Sequence, residues 1–177
     1  MIKRYIEWQR KKYSQLQKLL FLVIVVPFFF FIFIPGLSFV ISKEIESIVI
    51  LPRILPYPFN ILTGTFIFAS GLTLFLWTVI IFFRIGKGTP SPFIPTQKLV
   101  TSGPFAHSRN PMVLGVIIYV AGLGVIFNSL SFIGIGLVIP LSYLAYIKLV
   151  EEKELEARFG KEYIQYKKRV PFLIPNL

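Results

Sequence analysis

The sequence predicts an all-α integral membrane protein with about four transmembrane helices. Hydrophobic residues make up 55% of the 177 positions, and the mean hydropathy is +0.73. The chain contains nineteen Phe and no Cys, and it falls outside the composition of ordinary soluble domains. Its apolar residues are gathered into long uncharged stretches, which is typical of helices that cross a bilayer.

Four such stretches can be followed along the chain, and only Lys148, near the end of the last, interrupts them with a charge. They run from Leu19 to Ile41, Ile61 to Phe83, Met112 to Phe127 and Ser131 to Leu149. A helix needs roughly 20 apolar residues to cross the hydrocarbon core. The third stretch is shorter, so we expect that helix to stand nearly upright or to start within the interface.

The first stretch is interpreted as an anchor, because it is too long for a cleavable signal peptide. We expect Pro27 and Pro35-Gly36 to break it. Three prolines between Ser42 and Asn60 predict an interfacial connector rather than a further crossing. We therefore divide the chain into an N-terminal basic segment, anchor and connector (residues 1–60) and a core with its tail (61–177).

Small residues recur seven positions apart in the second and third helices, at Gly64 and Gly71 and at Gly115 and Gly122. Such spacing lets two helix backbones approach closely. Helix packing is the simpler explanation of these glycines, although a ligand close to the backbone would need the same opening.

The distribution of Lys and Arg predicts the orientation. Six lie before the first helix, four between Arg84 and Asn110, and six in the C-terminal tail, whereas the other connections hold only Lys43 and Arg53. Both termini and the long loop are therefore expected to be cytoplasmic, in a multi-pass protein of the cell membrane. The net charge of +11 is explained by these flanks and by anionic lipids, and we expect no nucleic-acid partner.

The loop before the third helix, about 27 residues long, exceeds what a helical bundle needs for a connection. Its prolines and apolar side chains argue against disorder. Asn110 is a good N-cap and Pro111 suits the first position of a helix. The free amide groups at this helix start would favour an anionic group.

The fourth helix continues beyond its apolar stretch into the tail. Glu154 is expected to pair with Arg158 and to be exposed, and Gly160 is expected to end the helix. A second amphipathic segment, Glu162 to Arg169, leads into the sequence PFLIP, which we expect to fold onto the membrane interface.

At these positions the sequence resembles the isoprenylcysteine carboxyl methyltransferase and phospholipid methyltransferase superfamily of membrane enzymes. The resemblance extends from about Ile61 to Pro175. It rests on GTPSPFIP, LVTSGPFAHSRNPMVLG, the apolar hairpin and EEKELEARFGKEYIQYKKRVPFLIP, in that order.

The resemblance implies that S-adenosyl-L-methionine is the cofactor, in a cytoplasmic pocket formed by the loop before the third helix and the C-terminal helical tail. The residues that it assigns to cofactor contact are Gln97, Lys98, Leu99, Val100, Phe105, Asn110, Pro111, Met112, Val113 and Glu151. We expect Arg109 and Glu152 to act on the reacting groups, since guanidinium binds a carboxylate or phosphate in bidentate fashion. A topology-setting role for Arg109 and a solvated helix exit for the two glutamates are the simpler alternatives, and His107 is expected to be solvated.

Several positions differ from the prenylcysteine branch of this superfamily. Phe105 and Val113 stand where that branch has Tyr, and Asn110 replaces its His. Ile147 replaces an Arg thought to orient the substrate carboxylate, which argues against a prenylcysteine substrate.

The resemblance implies methyl transfer like that of the isoprenylcysteine carboxyl methyltransferases, to a small amphiphile or lipid that enters from the bilayer, with no metal. Such transfer requires positioning more than acid or base catalysis. Phospholipid-amine N-methylation and a non-catalytic membrane scaffold are the alternatives. A transporter is disfavoured because the spans lack paired charges. The sequence leaves the methyl acceptor and the oligomeric state open.

Overall fold

A computed structural model describes residues 14–87 and 96–175, and every regular element in these two ranges is helical. The α-helices are α1 (Gln15–Leu20), α2 (Ile34–Ile48), α3 (Phe59–Arg84), α4 (Pro111–Ile126), α5 (Leu130–Tyr146), α6 (Glu152–Phe159) and α7 (Lys161–Arg169). The π-helical segments Phe21–Val25, Phe28–Phe33 and Ile147–Glu151 and a 3₁₀ turn, Gly103–Ala106, complete the set. The GTPSPFIP part of the long loop and the first five basic residues of the chain lie outside the described residues.

Within the described ranges, three helical stretches are long and apolar enough to cross a membrane: Val23–Ile48, Phe59–Arg84 and Leu130–Phe159. The apolar helix Pro111–Ile126 is shorter, with 16 residues. The predicted class, an all-helical membrane protein with a short third helix, is confirmed.

The first apolar segment differs from its prediction. It does not end at Ile41, because α2 continues to Ile48, and the non-helical connector is confined to residues 49–58. Pro27 and Pro35 do not interrupt the helical path. Proline cannot donate the usual backbone hydrogen bond, and a wider π-helical turn is one way to accommodate that loss. Pro27 accordingly lies between two π-helical segments, and Pro35 lies in the first turn of α2.

The described residues form two compact units. The first contains residues 14–26, 76–87, 96–111 and 145–175, and the second contains Pro27–Phe75 and Met112–Leu144.

In the second unit, the predicted close approach of helix backbones is confirmed. A Cβ added at Gly71 would lie 2.3 Å from the backbone nitrogen of Tyr119, and one at Gly122 would lie 2.3 Å from that of Phe68. No larger residue fits this contact without moving the helices. The glycines of α3 and α4 therefore serve packing.

The connector of this unit is held by Asn128, which follows α4 with a φ of 57°. Asn is among the residues that tolerate this left-handed conformation. Its side-chain oxygen accepts hydrogen bonds from the amides of Ile54 (2.7 Å) and Leu55 (3.1 Å), and its amide nitrogen donates to the carbonyl of Leu55 (2.8 Å). One side chain thus satisfies three backbone groups of a segment that has no helix of its own.

Candidate functional site

The candidate site lies in the first unit, where the loop before α4 meets the C-terminal tail. The loop turns sharply at Gly103, whose φ is +61°. A Cβ there would lie 2.5 Å from Cδ1 of Ile81. Glycine is required at this position both for the backbone conformation and for the close approach to α3.

The 3₁₀ turn that follows is fixed by Phe105. Its ring meets that of Phe82 edge-on, with 4.9 Å between centroids. Its carbonyl oxygen accepts a 2.7 Å hydrogen bond from the hydroxyl of Tyr166 in α7. The turn is therefore held from α3 on one side and from the tail on the other.

The tail is attached to the end of the loop by two further bonds. The backbone amide of Arg109 donates to the carbonyl of Pro171 (2.9 Å), and the side-chain amide of Asn110 donates to the carbonyl of Phe172 (2.8 Å). Asn110 does precede the first residue of α4, as predicted. The PFLIP segment, which we expected to lie on the membrane interface, contacts the loop through these two carbonyls.

At the centre of this contact, Arg109 and Glu152 form a hydrogen-bonded ion pair. The second carboxylate oxygen of Glu152 accepts from Nζ of Lys167 at 2.8 Å, and the same ammonium pairs with Glu156 at 2.8 Å. Only 5% of the Glu152 surface is exposed. Glu152 is therefore a buried member of a charge network rather than a solvated residue at a helix exit.

Arg109 retains binding capacity. Its guanidinium carbon lies 5.4 Å from the ring centroid of Phe172, in a cation–π contact. Its Nε is buried and has no hydrogen-bond partner among the described residues. An unpaired charged donor is costly in a protein interior, so an acceptor at Nε would be stabilising.

A second ion pair contradicts one expectation. Glu154 pairs with Arg158 at 3.0 Å, as predicted, but it is buried, with 6% exposure, and not on the surface. Arg158 also donates to the backbone carbonyl of Thr96 in the loop. The pair is buried because it connects the tail to the loop, a long-range contact that helical spacing does not reveal.

Three residues of α7 beside this charge network, two tyrosines and a lysine, have raised pKa values. Burial and the nearby carboxylate of Glu152 raise the pKa of Tyr163 to about 12. Burial also raises the pKa of Tyr166. The ammonium group of Lys167 donates hydrogen bonds to Glu152 and Glu156, and these bonds raise the pKa of Lys167. Sequence reasoning missed all three residues, although the spacing of Tyr163 and Tyr166 on one face of α7 would have indicated burial.

The sequence-predicted cofactor residues are distributed as follows. In the first unit, Gln97 and Lys98 are exposed, Leu99 packs against the cluster of Tyr163, Tyr166 and Val170, and Val100, Phe105 and Pro111 are buried. Glu151 is partly buried at the end of the π-helical turn, next to Glu152, and His107 is exposed. Met112 and Val113 are buried and belong to the second unit. The structure thus brings Arg109, Asn110 and Glu152 together with the tail.

Comparison with known proteins gives one family. The family model described as phospholipid methyltransferase matches residues 59–162, which include the loop, Arg109 and Glu152. No curated protein matches the chain significantly. Since the match covers more than half of the sequence, the chain belongs to the phospholipid methyltransferase family, within the superfamily that also includes the isoprenylcysteine carboxyl methyltransferases.

Proposed function

We propose that this protein transfers a methyl group from S-adenosyl-L-methionine to a lipid-like amphiphile that it meets in the membrane. Family membership supports methyltransferase activity on lipid-like substrates. The observation that carries the proposal is the buried pair of Arg109 and Glu152, because the family match includes both residues and the pair leaves one guanidinium donor unsatisfied.

The residues of the first unit fit the amino-acid end of this cofactor. That end carries a carboxylate and an ammonium group. Nε of Arg109 is a buried N–H with no partner in the described part of the chain, and it can donate to a carboxylate. Charge-assisted hydrogen bonds of this kind are strong. Glu151, next to Glu152 in the chain, offers a carboxylate to an ammonium or to ribose hydroxyls. One cationic and one anionic side chain therefore match the two opposite charges of a zwitterionic ligand.

We assign a binding or positioning role to each of the candidate site residues in the first unit. Arg109 would hold the carboxylate, and Glu152, itself held by Lys167, would fix the guanidinium in place. Gln97, Lys98, Leu99, Val100, Phe105, Asn110 and Pro111 would border the cofactor from the loop. When bound, the cofactor supplies an electrophilic methyl group on a sulfonium. The protein contributes position and the exclusion of water, which lower the barrier of a displacement reaction.

We propose a lipid amine as the methyl acceptor, and the residue at position 147 supports this choice. Position 147 is an isoleucine, buried with 4% exposure, and its side chain supplies no charge to bind a substrate carboxylate. Lys148 is exposed, one residue further along the helix, and a step of one residue turns a side chain by about 100°. A carboxylate buried without a partner would be costly, whereas an amine needs no such cation.

We further propose that the protein lies in the cell membrane with both termini, the long loop and the tail in the cytoplasm. The cationic flanks support this orientation. Because the chain lacks cysteine, a single cysteine at the exposed Glu162 position can report it. We expect a membrane-impermeant maleimide to label this variant only after the cells are permeabilised; labelling of intact cells would reverse the orientation.

The test of the activity is transfer of a labelled methyl group. Purified protein, reconstituted with a lipid extract and methyl-labelled S-adenosylmethionine, should place label in the lipid fraction. We expect cofactor binding with micromolar affinity by calorimetry, and loss of both binding and transfer in Arg109→Gln. Glu162→Gln, at an exposed position, is the matched control. A folded protein that neither binds the cofactor nor transfers label would be a scaffold, and the proposal would be wrong.

The bond formed identifies the acceptor. A methyl ester is released as methanol in mild alkali, whereas an N-methyl group is stable under the same treatment. We expect the label to resist alkali. Release of the label would assign the reaction to a carboxylate acceptor, without affecting the assignment of the cofactor.

A further inference from the structure

Helix α7 has a buried face and an outward face. Tyr163 and Tyr166 lie on the buried face, where they form a cluster with Val170. The opposite face presents Lys161, Ile164, Gln165 and Lys168, all of them exposed. With about 100° between successive residues, these four positions fall on one stripe directly opposite the two tyrosines.

The outward face carries positive charge that nearby carboxylates do not cancel. Glu152 and Glu156 are bound to Lys167, on the inner side of the helix, and Glu154 is bound to Arg158. Among residues 14–87 and 96–175, no carboxylate forms an ion pair with Lys161 or Lys168. Exposed Arg169 and exposed Glu162 both fall at the edge of the stripe, seven positions apart along α7.

Exposed apolar side chains accompany these cations. Ile164, between the two lysines, is 43% exposed, and Ile174, beyond the end of the helix, is 73% exposed. Lysines around an exposed isoleucine are typical of a helix that lies in the headgroup region of a bilayer, where the apolar side chain enters and the ammonium groups remain among the phosphates.

The chain also keeps this face close to the membrane. Leu149, which is 64% exposed, and Val150 belong to the apolar stretch Leu130–Phe159. Lys161 follows Val150 by eleven positions along the chain. A helical backbone of that length spans about 16 Å. Helix α7 is therefore tethered within a short distance of the bilayer surface.

We propose that the outward face of α7, defined by Lys161, Ile164, Gln165 and Lys168, docks on anionic phospholipid headgroups. The occupant is the bilayer surface, because this face combines positive charge with an exposed apolar side chain and is tied to a membrane-spanning segment. The inference is independent of the methyl-transfer reaction.

The test places a probe on this face of the complete protein. Because the chain has no cysteine, Ile164→Cys can be labelled with an environment-sensitive fluorophore and reconstituted into vesicles. In phosphatidylcholine with phosphatidylglycerol, we expect blue-shifted emission and quenching by a lipid that carries a nitroxide near its headgroup. Both signals should decrease in phosphatidylcholine alone and in high salt, which screens the attraction.

The lysines are tested with the same label. A basic side chain near an anionic surface contributes about fivefold to binding, so Lys161→Gln with Lys168→Gln should weaken docking about 25-fold. Glu162→Gln, on the flank, is the control and should not weaken it. A label that stays in water in both kinds of vesicle, or a signal that the lysine substitutions leave unchanged, would overturn the proposal. If added cytosolic protein shielded the label from water but anionic vesicles did not, the face would bind a protein partner. That result would also overturn the proposal.

Discussion

Arg109 and Glu152 form a buried ion pair although 43 positions separate them in the chain. Arg109 lies two residues before the start of α4, and Glu152 begins α6. Their contact joins the two segments in which the sequence resembles methyltransferases of this superfamily.

Replacing Glu152 with Gln should destabilise the protein and abolish cofactor binding. The substitution leaves Arg109 and Lys167 without their shared carboxylate, and breaking a buried ion pair typically costs about 3 to 5 kcal/mol. Thermal unfolding in detergent and calorimetric titration measure the two effects. The exposed Glu162→Gln is the control, and equal melting temperatures for the two variants would contradict a structural role for the pair.

Tyr166→Phe should loosen the turn that carries Phe105. The substitution removes the 2.7 Å hydrogen bond to the Phe105 carbonyl without creating a large cavity, and such a bond contributes about 1 kcal/mol. Hydrogen exchange should become faster at residues 103–106 than in the original protein. Unchanged exchange at this turn would mean that Phe82 holds it without help from the tail.

Substitution by alanine should lower thermal stability at Gly71 but not at Gly134. Gly71→Ala places a Cβ 2.3 Å from the backbone of Tyr119, whereas a Cβ at Gly134 has no neighbour within 4 Å. We expect the first variant to lose thermal stability and the second to keep or gain up to about 1 kcal/mol, since alanine is the better helix former. A harmless Gly71→Ala would contradict the close approach of α3 and α4.

The tail should lose stability in alkali. The pKa of Tyr163 is raised from 10.0 to about 12, so between these values the unfolded chain releases a proton that the folded protein keeps, and unfolding becomes easier as the pH rises. The raised pKa of Lys167 acts in the same direction, because its pairing is lost when the ammonium deprotonates. Unfolding measured from pH 8 to 12 should show the decline. Tyr163→Phe should make it shallower, and an unchanged slope would contradict the assignment to this residue.

Local patterns predicted the helices well. The apolar stretches, the glycine spacing, the end of α6 at Gly160 and the Glu154–Arg158 pair all depend on neighbours within a few turns. One local expectation was wrong, because the helix continues through Pro27 and Pro35 to Ile48. The other failures concern long-range contacts. The burial of Glu154 depends on Arg158 reaching Thr96, and the partners of Glu152 come from the loop and from α7. Spacing along one helix cannot reveal which side chain of another segment lies opposite.

The residue at position 147 should influence substrate choice. The protein should methylate an ethanolamine lipid and should act poorly on acetyl farnesylcysteine, because the buried Ile147 provides no cation for the carboxylate of this prenylcysteine mimic. Ile147→Arg should raise turnover of the mimic in the fraction that remains folded, as judged by thermal unfolding. Lys148→Gln, at the adjacent exposed position, should leave the preference unchanged. Efficient esterification of the mimic by the original protein, and its loss in Lys148→Gln, would show that Lys148 supplies the missing charge and that the preference for a lipid amine is wrong.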